Sequence, residues 1–185
     1  VRLIGPVGCG KSAFIAKVIG TADQAIGHEL CPGSYTQDIV TTRYKVGNSS
    51  DVVLVDTPGF GDINLTEIQI LHKISKWLHQ TYKKKVFFSV ILCFQPINDN
   101  RIRWASWSKP HLLHELCGND AKAQIALVTT MWDVVEERLG IERLMELKEL
   151  WKPKFGRGSK TFCYQNTRES GEELLRAVVN GSMNS

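Results

Sequence analysis

Eight residues near the start of the chain, Gly5-Pro6-Val7-Gly8-Cys9-Gly10-Lys11-Ser12, carry the spacing Gly-x-x-x-x-Gly-Lys-Ser. That spacing lets successive backbone N–H groups turn toward one point. The amides from Gly8 to Ala13 are therefore expected to cradle phosphate oxygens at a helix N-terminus, where the helix dipole adds attraction. Lys11 would reach the terminal phosphates, and Ser12 would offer its hydroxyl to Mg²⁺. A second group, Asp56-Thr57-Pro58-Gly59, follows the apolar run Val52 to Val55. Its carboxylate would emerge at the carboxyl end of a strand, where parallel sheets place their ligands, and would serve as the second Mg²⁺ group. Gly59, without a side chain, lets its amide approach a γ-phosphate that only a triphosphate provides. The third group is Thr130-Met131-Trp132-Asp133, directly after the apolar run Ile125 to Thr129. A carboxylate at Asp133 can accept from both the ring N–H and the exocyclic amine of guanine, a pair of donors that adenine lacks. Since leaving a buried carboxylate unpaired is costly, Asp133 could supply most of the base discrimination. A helix N-cap is the other use of an Asp at that position.

The elements needed to hold these groups are legible in the pattern around them. Val1 to Ile4 reads as a strand entering the glycine-rich loop, and Ser12 to Ile19 as a helix closed by Gly20. Ile39 to Val46 alternates like a half-exposed strand, and turn residues at Gly47 to Ser50 join it to Val52–Val55, which predicts a hairpin. Leu65 to Tyr82 sets Ile68, Leu71, Ile74, Trp77 and Leu78 on one helical face, with Lys83, Lys84 and Lys85 at the end favoured by the dipole. Val86 to Phe94 reads as a buried strand and Gln95 to Ser108 as an irregular insert. His111 to Leu116 is expected to be helical. Leu139 to Trp151 is an amphipathic helix ended by Pro153. Thr161 to Tyr164 is a short strand, and Glu172 to Val179 a last helix before a loose polar tail. Strands that alternate with helices, several of them continuously apolar, imply an α/β fold with a mostly parallel sheet covered on both faces.

Composition sets the outer bounds. At 185 residues, against about 150 per domain, the chain predicts one domain over 1–180 with a tail over 181–185. With 43% hydrophobic and 23% charged residues, disorder, collagen and coiled coil are excluded as global descriptions. Lys and Arg total 23 against 19 Asp and Glu, a net +4 too balanced to indicate a nucleic-acid partner. Cys9, Cys31, Cys93, Cys117 and Cys163 form an odd set without a Cys-x-x-Cys pair, so a reducing, cytoplasmic setting is expected. The apolar run Val86 to Phe94 is about half of the roughly 20 residues that cross a bilayer, and membrane contact is not indicated. The chain opens inside an apolar run, as an excised domain would.

In this order and spacing, Gly5–Ser12, Asp56–Gly59 and Thr130–Asp133 resemble the phosphate loop, second switch and base motif of the translation-factor-like GTPases. The stretch Asp56-Thr-Pro-Gly-Phe-Gly-Asp62 is similar to septins and to the AIG/Toc branch. The wording "VLVDTPGFGD", "INDNR", "LCGND" and "LVTTMWDVV" resembles the G-domain proteins abundant in mushroom-forming fungi. The resemblance implies a three-layer P-loop NTPase fold with one antiparallel edge strand, binding GTP or GDP with Mg²⁺. It makes Ser34-Tyr35-Thr36 the first switch, with Thr36 closing over Mg²⁺ and the γ-phosphate; Thr41 and Thr42 are rivals. Lys11, Thr36 and Gly59 then act on the reacting phosphate, while Gly5, Gly8, Cys9, Gly10, Lys11, Ser12, Ala13, Asp56, Gly59, Thr130 and Asp133 bind the nucleotide. Ser12, Thr36 and Asp56 form the metal set.

Two departures from the pattern matter. Met131 stands where a Lys stem would pack on the base, so the apolar stem remains without its ammonium. Phe60 stands where Ras-like enzymes carry a water-orienting Gln, so intrinsic hydrolysis is expected to be slow. Septin and Toc relatives dimerise across the nucleotide, which makes a homodimer on that face a candidate partner state and Arg101 or Arg103 candidates for a residue supplied in trans. Gln165, Asn166 and Thr167 are candidates for the last base-contacting loop. His111 and His114 have metal-compatible spacing but no third ligand near in sequence. Trp77 and Trp151 fit helix core faces, whereas Trp104 and Trp107 fall in the insert.

Overall fold

The computed structural model describes residues 1–20, 38–47, 50–83, 90–99, 124–155 and 160–183. The elements run β1 (Arg2–Ile4), α1 (Lys11–Ile19), β2 (Val40–Val46), β3 (Ser50–Asp56), α2 (Glu67–Lys83), β4 (Val90–Pro96), β5 (Gln124–Thr130), a 3-10 turn (Trp132–Val134), α3 (Glu137–Phe155), β6 (Lys160–Cys163) and α4 (Arg168–Met183). The strands form one sheet in the order β2-β3-β1-β4-β5-β6. Every pairing is parallel except that of β2 with β3, the expected hairpin, whose register runs from Val40 opposite Asp56 to Val46 opposite Ser50.

Strand alternation divides the core into two layers of side chains. Ile4, Val55, Ile91, Cys93 and Leu127 face one side, where Ile70, Leu71, Ile74 and Leu78 of α2 and Leu147 and Trp151 of α3 cover them. Leu3, Leu54, Leu92, Phe94 and Val128 face the other, against Phe14, Ile15 and Val18 of α1 and Leu174, Leu175 and Val178 of α4. This is the helix–sheet–helix arrangement of the P-loop NTPase fold. β4, in mid-sheet, is buried over its whole length, which explains why Val90 to Phe94 are apolar at successive positions rather than at alternate ones.

Local chemistry shifts several boundaries from those expected. α2 starts at Glu67 rather than Leu65 because Thr66 and Gln69 cap it reciprocally. Gln69 N–H donates to Thr66 Oγ1 at 3.3 Å, and Thr66 N–H to Gln69 Oε1 at 2.8 Å. Ile68, expected on the core face, is 79% exposed, while Ile70 is fully buried. The buried set Ile70, Leu71, Ile74 and Leu78 has its centre about 100° around the helix from Ile68.

β4 extends through Gln95 and Pro96, which sequence alone places in an irregular insert; pairing with β5 continues to Pro96 opposite Thr130. A proline at the last position of a strand breaks little of the ladder. α3 runs past Pro153 to Phe155, since a proline in the final turn removes a single backbone bond. α4 starts at Arg168 and continues through Asn180 to Met183, so most of the expected tail is helix. The first strand of the chain and the C-cap Gly20, left-handed at φ 86°, agree with expectation.

The segments 34–36, 84–85, 86–89, 100–108 and 111–116 lie outside the described residues. With them go the first-switch candidate Thr36, Lys84, Lys85, Arg101, Arg103, Trp104, Trp107, His111 and His114. Thr41 and Thr42 lie within β2, opposite Val55 and Leu54. Trp151 is buried in the core and Trp77 packs half-buried against it. Among the described residues no helix is long and apolar enough to cross a membrane.

Candidate functional site

The loop between β1 and α1 sits where the sheet reverses its order of growth, at the carboxyl ends of β1, β3 and β4, the crevice that open α/β sheets use for ligands. Gly8 at φ 76° and Gly10 at φ 91° are both left-handed, and a Cβ added at either would meet nothing within 4 Å. Their glycines are thus required by backbone conformation and not by crowding. Lys11 is buried, and its ammonium folds back over the loop, donating to Gly5 O at 3.2 Å and Pro6 O at 3.0 Å, with Cys9 Sγ at 3.6 Å. Burial pushes the Cys9 thiol above its ordinary range, against the opposing pull of the Lys11 ammonium. Cys9 is therefore a packed, protonated side chain.

Asp56, the last residue of β3, meets the first turn of α1: Ser12 Oγ donates to Asp56 Oδ2 at 2.5 Å. The hydroxyl and carboxylate predicted from residues 44 apart in sequence are brought together, an all-oxygen pair suited to a hard divalent cation. Thr57 Oγ1 donates to Leu3 O at 2.7 Å and pins the chain as it leaves β3. Three residues on, the segment zips to the loop. Phe60 N–H donates to Gly5 O at 3.1 Å, and Val7 N–H to Phe60 O at 2.9 Å. Gly59 lies so close that a Cβ there would come within 2.6 Å of Val7 N and 2.7 Å of Val7 Cα, contacts that backbone atoms cannot relieve. The Phe60 ring is buried in the core layer beneath α2.

The third group is tied to the first. Thr130 Oγ1 donates to Cys9 O at 2.9 Å, and Ile97 N–H donates to Thr130 O at 2.9 Å. Arg143 of α3 in turn donates to Ile97 O at 3.0 Å, so a chain of hydrogen bonds runs from α3 through the ends of β4 and β5 to the glycine-rich loop. Met131 is left-handed, at φ 62°, and Asp133 stands exposed on the 3-10 turn that follows. The exposure differs from the buried carboxylate anticipated from sequence; the turn leaves it open to whatever docks there. Tyr164 N–H donates to Thr129 O at 2.9 Å, which sets Gln165, Asn166 and Thr167 beside the same end of β5. Asn166 is left-handed at φ 56°, and Ser170 caps back onto Gln165 N–H and Thr167.

The sequence pattern of the family described as 50S ribosome-binding GTPase matches residues 1–130. The chain belongs to this GTPase family. No curated protein matches it in sequence. Among solved structures, the GTPase domain is similar to one reported for the chloroplast translocon components atToc33 and psToc159, with TM-score 0.67 and 14% identity over 100% of this chain and 82% of that one. It is also similar to a mutation variant of SsGBP, with TM-score 0.64 and 13% identity over 100% of this chain and 56% of that one. The third likeness is to translation elongation factor SelB from Methanococcus maripaludis bound to a GTP analogue, with TM-score 0.62 and 13% identity over 100% of this chain and 33% of that one. The domain thus spans about half the length of the SsGBP chain and a third of SelB. At these identities the likeness establishes the fold.

Sequence reasoning names the loop, Asp56, Gly59 and Thr130, which the structure brings together, but misses the connections between them. The zipper at Phe60 has no signal in residue type, because main-chain atoms form it. Trp132 and Gly140 have one: a glycine inside an amphipathic helix marks a close approach.

Proposed function

We propose that this GTPase domain binds GTP and GDP with Mg²⁺ and hydrolyses GTP slowly, by attack of water on the γ-phosphate. The observation that carries the reading is the meeting of Ser12 with Asp56 beside the left-handed glycines of the loop. Amides of Gly8, Cys9, Gly10, Lys11, Ser12 and Ala13 would face the phosphates, and Lys11 would exchange its bonds to Gly5 O and Pro6 O for phosphate oxygens. Ser12 and Asp56, with Thr36 of the first switch, would hold Mg²⁺. When bound, that ion neutralises charge on the phosphate oxygens. Gly59 would offer its N–H to a γ-phosphate. Asp133 would accept from guanine, the base itself covering the exposed carboxylate and so raising the penalty for a base without matching donors.

The slow rate follows from Phe60, whose ring has no hydrogen-bonding group and lies in the core. The same observation favours a second reading, a GTP-gated assembly module in which turnover is incidental. Supporting it are the motif likeness to septins and the AIG/Toc branch and the reported importance of dimerisation for GTPase activity in the translocon components. Isothermal titration of Mg²⁺·GTP, GDP and ATP, followed by phosphate release and light scattering on the same samples, tests both. GTP and GDP should bind far more tightly than ATP, and Lys11→Ala should abolish binding. Retained GTP affinity in Lys11→Ala refutes the assignment of the loop. Nucleotide-dependent mass without phosphate release favours the assembly module.

A further inference from the structure

We propose that Trp132 is a positioning residue for base selectivity: its indole locks the turn that carries Asp133 to the end of β5. The inference deepens the guanine-binding reading above and rests on it.

The indole is held at both of its edges. Its Nε1–H donates to Thr129 Oγ1 at 3.0 Å and lies 3.3 Å from Thr129 O. Across the ring, α3 approaches through Gly140, where a Cβ would fall 2.9 Å from Trp132 Cζ3 and 3.2 Å from Cε3, with Val135 Cγ1 at 3.3 Å. A glycine inside a helix lowers helix stability relative to alanine. Here it makes room for a rigid bicyclic ring that has no flexible end to move aside. The residue before Trp132 points the same way. Met131, a side chain with a Cβ, is held in the left-handed region at φ 62°, ψ 37°, a conformation that persists only where the surroundings impose it. The anchored indole, next in the chain, is what imposes it, and Asp133 is the residue after.

Thr129 gives the arrangement its reach. Its carbonyl also accepts Tyr164 N–H at 2.9 Å, the first residue past β6. One peptide group therefore fixes both the turn bearing Asp133 and the loop of Gln165, Asn166 and Thr167. Trp132 needs no contact with the base to act; it works by setting where the Asp133 carboxylate stands. A ring that merely filled the core would leave nucleotide choice untouched when its N–H is removed.

The test compares GTP and ATP affinities, with thermal midpoints, in the wild-type domain, Trp132→Phe and Gly140→Ala. Trp132→Phe keeps an aromatic ring and deletes the anchoring N–H, whereas Gly140→Ala pushes the indole while favouring the helix. In both variants the ratio of GTP to ATP affinity should fall at least tenfold, with ATP affinity within about twofold of wild type. A ratio unchanged in Gly140→Ala overturns the proposal even if Trp132→Phe fails to fold. A wild-type ratio near one overturns the guanine reading itself and this proposal with it.

Discussion

At the scale of single residues, the site is governed by what fits beside the backbone of the glycine-rich loop. Gly59 packs against Val7 so tightly that even a methyl group would strike main-chain atoms at 2.6 and 2.7 Å. Gly59→Ala should therefore push the segment off the loop and lower stability by about 1–3 kcal/mol, the usual range for overpacking. Urea denaturation would show it as a lower midpoint, and an unchanged midpoint would mean that the contact relaxes freely. The two kinds of glycine here differ in how readable they are. Gly8 and Gly10 belong to a local pattern visible in eight consecutive residues. Gly59 matters because of Val7, and that neighbour depends on how β1 and β3 pair in parallel. Likewise Ser12 and Asp56 could each be named from sequence as oxygen donors, but their meeting at 2.5 Å is a product of the sheet.

At the scale of elements, each helix is specified at its ends as much as along its face. The reciprocal bonds of Thr66 and Gln69 hold two N–H groups that would otherwise be orphaned at the start of α2. Thr66→Ala should cost about 1 kcal/mol, read as a shift in denaturation midpoint with unchanged slope. A shift in slope instead would place the effect in the unfolded chain. The periodicity of α2 was legible, yet it put Ile68 inward and left out Ile70. Hydrophobic spacing defines a stripe, and which edge of that stripe faces the sheet depends on the docking angle. Pro153 and Pro96 show the converse: strong local rules that lose little when the residue falls in the last turn of a helix or at the last position of a strand. The buried strand β5 was legible to within a residue at each end, since a strand covered on both faces is apolar at successive positions, whereas the reading of β4 missed Gln95 and Pro96.

At the scale of the molecule, the edge of the sheet is fastened to the far helix by one carboxylate. Glu172 of α4 accepts from Tyr44 of β2 at 3.0 Å, from Arg168 at 3.0 Å and from Arg176 at 2.7 Å. The Arg168 guanidinium and then the Tyr44 hydroxyl hold its carboxyl below the ordinary value of 4.5. A carboxyl depressed in the folded state contributes stability above that ordinary value and loses it as pH falls through the lower, folded one. Wild type should thus melt higher than Glu172→Gln at neutral pH, and the gap should close below about pH 4.5. A gap that stays constant from neutral pH down to about pH 3 would show that the ionised form is not what fastens the edge.

The carbonyl of Gly5 accepts both the Lys11 ammonium and Phe60 N–H. A ligand that draws Lys11 away leaves Phe60 as the remaining claimant on that oxygen, and a partner that draws Phe60 away does the same for Lys11. Such sharing is a thermodynamic coupling, and coupling is reciprocal. Whatever factor a phosphate ligand imposes on a partner's affinity for the segment after β3, that partner must return to the ligand in full.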